Sequence, residues 1–222
     1  MHVEIENLLS FQKHTVVNNI YPVSVFVGPN NAGKSNFIRV LQFYKDLLSD
    51  TKEHYPNHGN IKEKFHQLAD NSTCTIKISY TFEDSDLSRD PLRVDHFLLY
   101  NRDGKFDKER FFLHKNGKEI TVIKKEDYKF FEKKPEVVRD FLSGTKVDPS
   151  PEADFNEISW AKYGPFFWPN TSENPGIRIY NEIKRYIDSW IFIPADRIKN
   201  ISKRLDRLKE LPETIPDTPL FG

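Results

Sequence analysis

Gly28-Pro-Asn-Asn-Ala-Gly-Lys34-Ser35 is the stretch from which the rest of the chain is read. It follows an apolar run, Val23-Ser-Val-Phe-Val27, and opens into Asn36-Phe-Ile-Arg-Val-Leu-Gln-Phe-Tyr44. The pattern G-x-x-x-x-G-K-[ST] thus stands between an expected strand and an expected helix, the context a phosphate-binding loop requires. Gly28 and Gly33 permit the sharp backbone path that wraps a phosphate, and the amides of Asn31 to Ser35 then face negative charge. Lys34 suits a point charge between β- and γ-phosphates, and the Ser35 hydroxyl suits Mg²⁺. The plain alternative is a glycine-capped turn before an ordinary helix. With glycine at about 7% of residues, chance produces the full pattern in roughly one chain in a hundred of this length.

Working outward, His2 to Leu8 alternates apolar Val3 and Ile5 with Glu4 and Glu6, as a half-buried strand does. Ser10 to Lys13 reads as a turn, His14 to Val17 as a second strand, and Tyr21 to Val27 as a third that leads into the loop. Past the loop, Phe37, Ile38, Leu41, Tyr44, Leu47 and Leu48 recur at helical spacing to about Ser49. Asp50 to Asn60 reads as an exposed loop and Ile61 to Leu68 as a short helix. Thr73 to Phe82 alternates strictly; Phe97 to Tyr100 and Arg110 to His114 continue the β pattern. Asn116-Gly117 between two such runs is a strong hairpin signal. The middle of the chain, about 73–123, is therefore expected to be an antiparallel β-subdomain.

From Glu126 the character changes. Pro135 to Leu142 suits a helix with proline in its first turn. Residues of about 143–175 carry many prolines and glycines around Trp160, Tyr163, Phe166, Phe167 and Trp168, which predicts an ordered, aromatic-rich loop insertion. Ile179, Ile183 and Ile187 give helical spacing across Ile177 to Ile187. Trp190-Ile-Phe-Ile193 reads as a short buried strand, and Ala195 to Glu210 as a basic amphipathic helix.

The 222 residues suffice for one sizeable α/β domain or a lobe of a larger one. Lys plus Arg (33) equals Asp plus Glu (33), so net charge argues for neither nucleic acid nor membrane. Eighteen Phe and nine Tyr supply core volume. The single Cys, Cys74, rules out an intramolecular disulfide framework and fits a small core residue in a reducing cytosol. Met1-His-Val-Glu-Ile-Glu has neither a basic nor an apolar leader segment, and no apolar run reaches the ~20 residues that span a bilayer. A cytoplasmic location is expected.

The order strand, turn, strand, then Val23-x-Val-Phe-Val-Gly-Pro-Asn-Asn-Ala-Gly-Lys-Ser-Asn-Phe37 resembles the N-terminal lobe of ABC-type, AAA-family ATPases of the SMC/RecF kind. It is most similar to their OLD-nuclease-like and phage-defence relatives. Asn30-Asn-Ala before Gly33, and Asn36 after Ser35, carry the likeness. Phe192-Ile-Pro-Ala-Asp-Arg197 is similar to an element that follows the β-rich insertion in such ATPases. The resemblance implies a P-loop α/β lobe with a mixed sheet and an added antiparallel β-subdomain, filling residues 1–222. It implies ATP held by Gly28, Asn30, Asn31, Ala32, Gly33, Lys34, Ser35 and Asn36, with Mg²⁺ on Ser35 and Arg197 near the nucleotide or dimer face.

Family members hydrolyse ATP at a dimer interface. The phosphate loop of one head meets a Ser-Gly-Gly-like signature from another, and a Walker B strand ends in Asp-Glu. Neither motif is found here. His96 to Asp103 and Trp190 to Asp196 come nearest, the first reading better as a meander strand and the second broken by Pro194. The resemblance therefore implies the front half of a larger ATPase, which binds ATP and does not hydrolyse it alone. Its implied partners are a second head, in a homodimer or a head-to-head assembly, together with DNA and an effector subunit. Two other function classes stand beside it: a scaffold assembled by ATP without hydrolysis, and a small-molecule kinase. The β-meander argues against the kinase.

Two further groups of residues receive plain readings. The seven histidines are scattered, and Pro56 between His54 and His58 forbids a regular helical metal pair, so all are expected at the surface. Lys199, Lys203, Arg204, Arg207 and Lys209 suggest a solvated helix face, with a DNA or partner surface as the alternative.

Overall fold

Alternation of apolar and polar side chains builds one large sheet. The computed structural model describes residues 1–29, 32–48, 73–82, 90–101, 106–126, 129–145, 154–158 and 173–193. Its strands are β1 (His2–Glu6), β2 (Thr15–Val17), β3 (Thr73–Phe82), β4 (Leu92–Asn101), β5 (Phe106–Lys115), β6 (Lys118–Glu126), β7 (Lys129–Lys133) and β8 (Phe155–Ile158). They pair in the order β2-β1-β3-β4-β5-β6-β7-β8, and every pairing is antiparallel. The helices are α1 (Lys34–Leu48), α2 (Pro135–Ser143) and α3 (Pro175–Asp188). The α/β class and the antiparallel meander are as expected, whereas the mixed sheet is not seen among the described strands: β3 to β7 pair in chain order, as antiparallel neighbours do, within one wholly antiparallel sheet. The 73–123 meander is continuous with β1 and β2 through five register pairs between β1 and β3.

One face of the sheet carries the core: Val3 and Ile5, then Cys74, Ile76 and Ile78, then Val94, Leu98 and Tyr100, then Phe111 and Leu113, all buried. The helices lie against it with Phe37, Val40, Leu41 and Tyr44 from α1 and Ile177, Tyr180 and Ile183 from α3. Phe111 and Tyr180 meet edge to face at 5.3 Å, a geometry that aromatic quadrupoles favour. Burial pushes the Cys74 thiol up to about 12, so it is an inert core residue.

Local signals explain the turns and ends. Asn116 and Gly117 both adopt positive φ (52° and 73°), as the tight turn between β5 and β6 needs. Helix α2 starts at Pro135 and ends on Gly144 at φ 80°. Helix α3 is capped by Asn174, whose Oδ1 accepts the Gly176 N–H at 3.0 Å while its Nδ2 donates to the Lys133 carbonyl at 2.7 Å. Gly176 allows the closest approach of helix to sheet, since a Cβ there would lie 2.1 Å from Val122 Cγ1.

Several expectations are corrected. Tyr21 to Val27 forms no strand, and Val23, Val25 and Val27 are 87%, 75% and 89% exposed. Trp190 to Ile193 is likewise not a strand, and Ile191 and Ile193 are exposed. The β pattern does not stop at Glu126, because β7 and β8 extend the sheet. The chain divides into two compact units, Met1–Trp190 and Ile191–Gly222, and only residues 191–193 of the second are described. The segments expected at 50–68 and 195–210, the aromatic cluster from Trp160 to Trp168, and Asp103 and Asp196 lie outside the described residues.

Candidate functional site

The residues expected to form a phosphate loop lie between the segment Tyr21 to Val27 and the start of α1, beside the turn Leu8 to Phe11. Gly33 adopts φ 80°, and a Cβ there would lie 3.5 Å from Ser10 Oγ and 3.8 Å from the Phe11 ring. That turn is closed by Leu8 N–H to the Phe11 carbonyl and Phe11 N–H to the Leu8 carbonyl, at 3.1 and 2.9 Å. The sequence places glycine at Gly33 because the conformation disfavours any side chain there. Phe26 packs edge to face on Phe37 at 5.2 Å and ties the preceding segment to α1.

Helix α1 begins at Lys34, and its first backbone bond runs from Phe37 N–H to the Gly33 carbonyl at 2.8 Å. The amides of Lys34, Ser35 and Asn36 therefore head the helix without intrahelical acceptors, at its positive end. No acidic side chain occupies the first turn. Lys34 Nζ curls back over the loop and donates to the carbonyls of Gly28 (2.7 Å) and Pro29 (2.5 Å). The ammonium is thus held inside the curve of its own loop. Ser35 follows it at the helix start, and Ala32 ends a turn in which its N–H reaches the Pro29 carbonyl at 3.4 Å.

The structure brings Gly28, Ala32, Gly33, Lys34, Ser35 and Asn36 into one short arc flanked by Ser10 and Phe11. Asn30, Asn31 and Arg197 lie outside the described residues. A polar hollow of about 260 Å³ lies elsewhere, lined by His2, Asn18, Ser79, Thr81 and Arg93 among others, and includes no loop residue.

A second feature escapes the sequence reading. His96, expected at the surface, is fully buried. Tyr44 of α1 hydrogen-bonds His96 Nδ1 at 2.6 Å, and His96 Nε2 meets Glu109 Oε1 at 2.7 Å. Lys125 Nζ lies 2.5 Å from Glu109 Oε2, and Tyr80 donates to Tyr44 at 3.4 Å. Burial raises the cost of charging Glu109, but the Lys125 charge and the His96 hydrogen bond outweigh it and hold the carboxyl below its ordinary range. The sequence signal is positional: His96 shares strand parity with Val94 and Leu98, which face the core. His2 and His14 also converge, on Glu4 at 3.0 and 2.9 Å, and His114 meets Asp95 at 3.2 Å. Among the described residues no group of His, Cys, Asp and Glu has the arrangement of a metal site.

Comparison with known proteins bears on this loop. Residues 23–217 match the family described as "AAA domain, putative AbiEii toxin, Type IV TA system". The chain belongs to this family. It is an AAA P-loop ATPase domain, and nucleotide binding is its general character. A solved structure from work on "ATP-driven dimerization and DNA stimulated activation of SMC ATPases" is similar over 54% of this chain and 70% of that one, at 19% identity and a TM-score of 0.35. No curated protein matches this chain. Among its described residues no helix is long and apolar enough to cross a membrane.

Proposed function

We propose that the chain is the ATP-binding lobe of an ABC-type ATPase, with Gly28 to Asn36 as its phosphate loop. The observation that carries this reading is the Lys34 ammonium held by the Gly28 and Pro29 carbonyls, at the head of a helix with no acid in its first turn. A cation and a positive helix end facing the same small arc suit a polyphosphate. The residues present fit ATP and Mg²⁺. Lys34 and the amides of Gly33 to Asn36 would hold phosphate oxygens, with Asn30 and Asn31 completing the loop, and Ser35 would offer its hydroxyl to the metal. Bound Mg²⁺ neutralises phosphate charge during transfer. Ser10 and Phe11, already against Gly33, would border the nucleotide.

Hydrolysis needs more than a cradle. A positioned water and a second carboxylate grip on Mg²⁺ are required, and binding that stabilises ground and transition states alike does not raise turnover. We assign those groups to a second head or a further segment. Residues 1–222 then bind ATP, and ATP drives a head-to-head or homodimeric assembly in which Arg197 lies near the interface. DNA maintenance or anti-phage defence with an effector subunit is the setting this reading favours. The family's description names a putative toxin of a Type IV TA system, which is in keeping with a defence setting.

Calorimetric titration of the chain with ATP·Mg²⁺ tests the assignment. Lys34→Ala removes one charge-assisted hydrogen bond, worth about 1.5–3 kcal/mol, and should weaken binding about ten- to a hundredfold with an unchanged circular dichroism spectrum. Unaltered affinity would end the phosphate-loop reading. Robust phosphate release by the chain alone, abolished in Lys34→Ala, would end the claim that hydrolysis needs a partner.

A further inference from the structure

The face of the sheet turned away from the helices carries an ordered pattern. Strand register places Glu4 beside Lys77, Lys77 beside Phe97, Phe97 beside Arg110, Arg110 beside Lys124, Lys124 beside Phe131 and Phe131 beside Glu157. One residue from each of seven adjacent strands thus forms a line across the sheet, cation and aromatic interleaved between two terminal acids. On the other face the residues next in sequence, Ile76, Leu98, Glu109 and Lys125, are buried.

The residues from Lys77 to Phe131 along this line are half-buried, so their outer surfaces remain accessible. Phe112 lies on the same face, opposite Asp95 and two residues from Arg110. Arg110 Nη1 donates to the carbonyls of Glu109 and Lys125 (3.1 and 3.2 Å), which fixes the guanidinium against the sheet. Lys124 Nζ stands 5.7 Å from the centre of the Phe131 ring, within cation–π range. Lys77 is engaged by Glu4 and Asp95 at one end, so the cationic weight of the line falls on Arg110 of β5 and Lys124 of β6.

We infer that this face binds single-stranded nucleic acid. Strands lie about 4.8 Å apart, so Lys77 to Phe131 spans about 19 Å across the sheet, room for a few nucleotides of an extended strand. Arg110 and Lys124 meet phosphates, and Phe97, Phe112 and Phe131 offer ring faces to bases. A duplex keeps its base faces stacked inside and cannot use the rings, whereas an unpaired strand can. An ordinary solvated sheet face has no need of three phenylalanines on the same face as Lys77, Arg110 and Lys124. The surface makes the DNA component of the proposed function concrete, and it stands whether or not the phosphate loop holds ATP.

The test is fluorescence anisotropy of the full chain, without nucleotide, against labelled oligothymidine, oligouridine and a duplex of equal length. Binding of either single strand more tightly than the duplex is expected, and the ratio between the two identifies DNA or RNA. Arg110→Gln with Lys124→Gln should lower affinity about tenfold or more and flatten the salt dependence, by roughly 0.7 in log–log slope for each phosphate that is no longer neutralised. Phe97→Leu or Phe131→Leu should lower affinity about five- to a hundredfold with the salt slope unchanged. Thermal melting of each variant shows that it folds, and the phenylalanine variants carry the test if the charge pair does not. Tighter binding to duplex, no binding to any strand, or binding indifferent to all these substitutions would overturn the inference. Because ATP is left out, a failed phosphate-loop assignment cannot produce those results.

Discussion

Replacing Glu109 by glutamine keeps the shape of the buried cluster and removes its anion. In the native chain Glu109 Oε2 lies 2.5 Å from Lys125 Nζ and Oε1 lies 2.7 Å from His96 Nε2, all at 1% exposure or less. Burial lowers the Lys125 ammonium to about 8; Glu109 opposes that fall and nearby Lys184 adds to it. Without Glu109 its offset to burial is lost, and folding favours the neutral Lys125 amine. The native fold already holds Lys125 at about 8, so at ~1.4 kcal/mol per unit the deficit relative to the native chain is about 1–2 kcal/mol at pH 7 and about 2–3 kcal/mol at pH 6. A domain of this kind is stable by about 5–15 kcal/mol, so the variant still folds and its deficit is measurable. The sign with pH follows. The unfolded variant binds a proton on Lys125 that the folded variant lacks, so its stability rises with pH up to the ordinary lysine value. The native pair keeps its proton below about pH 8, so its stability shows no such rise there. The deficit should therefore shrink by about 2–3 kcal/mol between pH 6 and 8. Adding Lys125→Met removes the stranded cation and should restore most of the stability. Urea unfolding followed by tryptophan fluorescence at pH 6, 7 and 8 measures each quantity. A deficit below about 1 kcal/mol at pH 6, a deficit independent of pH, or a double variant no better than Glu109→Gln at pH 6 would refute the reasoning.

Two further outcomes are expected. Gly176→Ala places a methyl group 2.1 Å from Val122 Cγ1, so helix and sheet must part. The cost should be about 1–3 kcal/mol, with partial recovery when Val122→Ala is added and thermal melting as the readout. Burial raises the Glu4 carboxyl, but hydrogen bonds from His14, His2 and Lys77 overcome this and bring it down to about 2. Its stabilisation is complete above the unfolded value of about 4.3 and disappears as pH falls towards 2. Glu4→Gln should flatten the acid limb of a stability–pH curve, and an unchanged limb would show that the ion cluster does not stabilise the fold.

The parts legible in the sequence are those with a local cause. Thr73–Phe82 alternates without a break and forms β3 with those bounds. Asn116-Gly117 makes its turn because both residues tolerate positive φ. The stripe of Phe37, Leu41, Tyr44 and Leu48 is the buried face of α1. What is not legible depends on distant partners. Lys-Phe-Phe-Glu-Lys at β7 and Phe-Asn-Glu-Ile at β8 are too short and too charged to announce strands, and become strands by extending an existing edge. Glu109, Lys125 and His96 look like surface residues until register sets them against one another. For the candidate site, the spacing of Gly28, Gly33, Lys34 and Ser35 suffices to locate the arc. The approach of Ser10 and Phe11 to Gly33 rests on the β1–β2 turn, which the sequence marks without giving its direction.

The segment ahead of the loop shows where local pattern and tertiary outcome part. Val23, Val25 and Val27 alternate with Ser24 and Phe26 as a strand does, yet the segment forms no strand. Phe26 finds Phe37, so one side of the segment is anchored to α1. The three valines on the other side stay in solvent, although burying each would contribute about 1.5–3 kcal/mol. Alternation encodes which side chains favour burial; it cannot supply the neighbouring strand that would bury them. Ile191 and Ile193, the second apolar run that the family resemblance marks, are exposed in the same way. The meander shows the contrast, since each of its strands has a partner one turn away in sequence and is buried on its inner face. Stability in this chain therefore resides in the self-sufficient antiparallel sheet, while the apolar residues next to the phosphate loop contribute little to it. Substituting Val25 should accordingly cost far less than substituting Ile76, although both stand in β-branched runs of similar pattern.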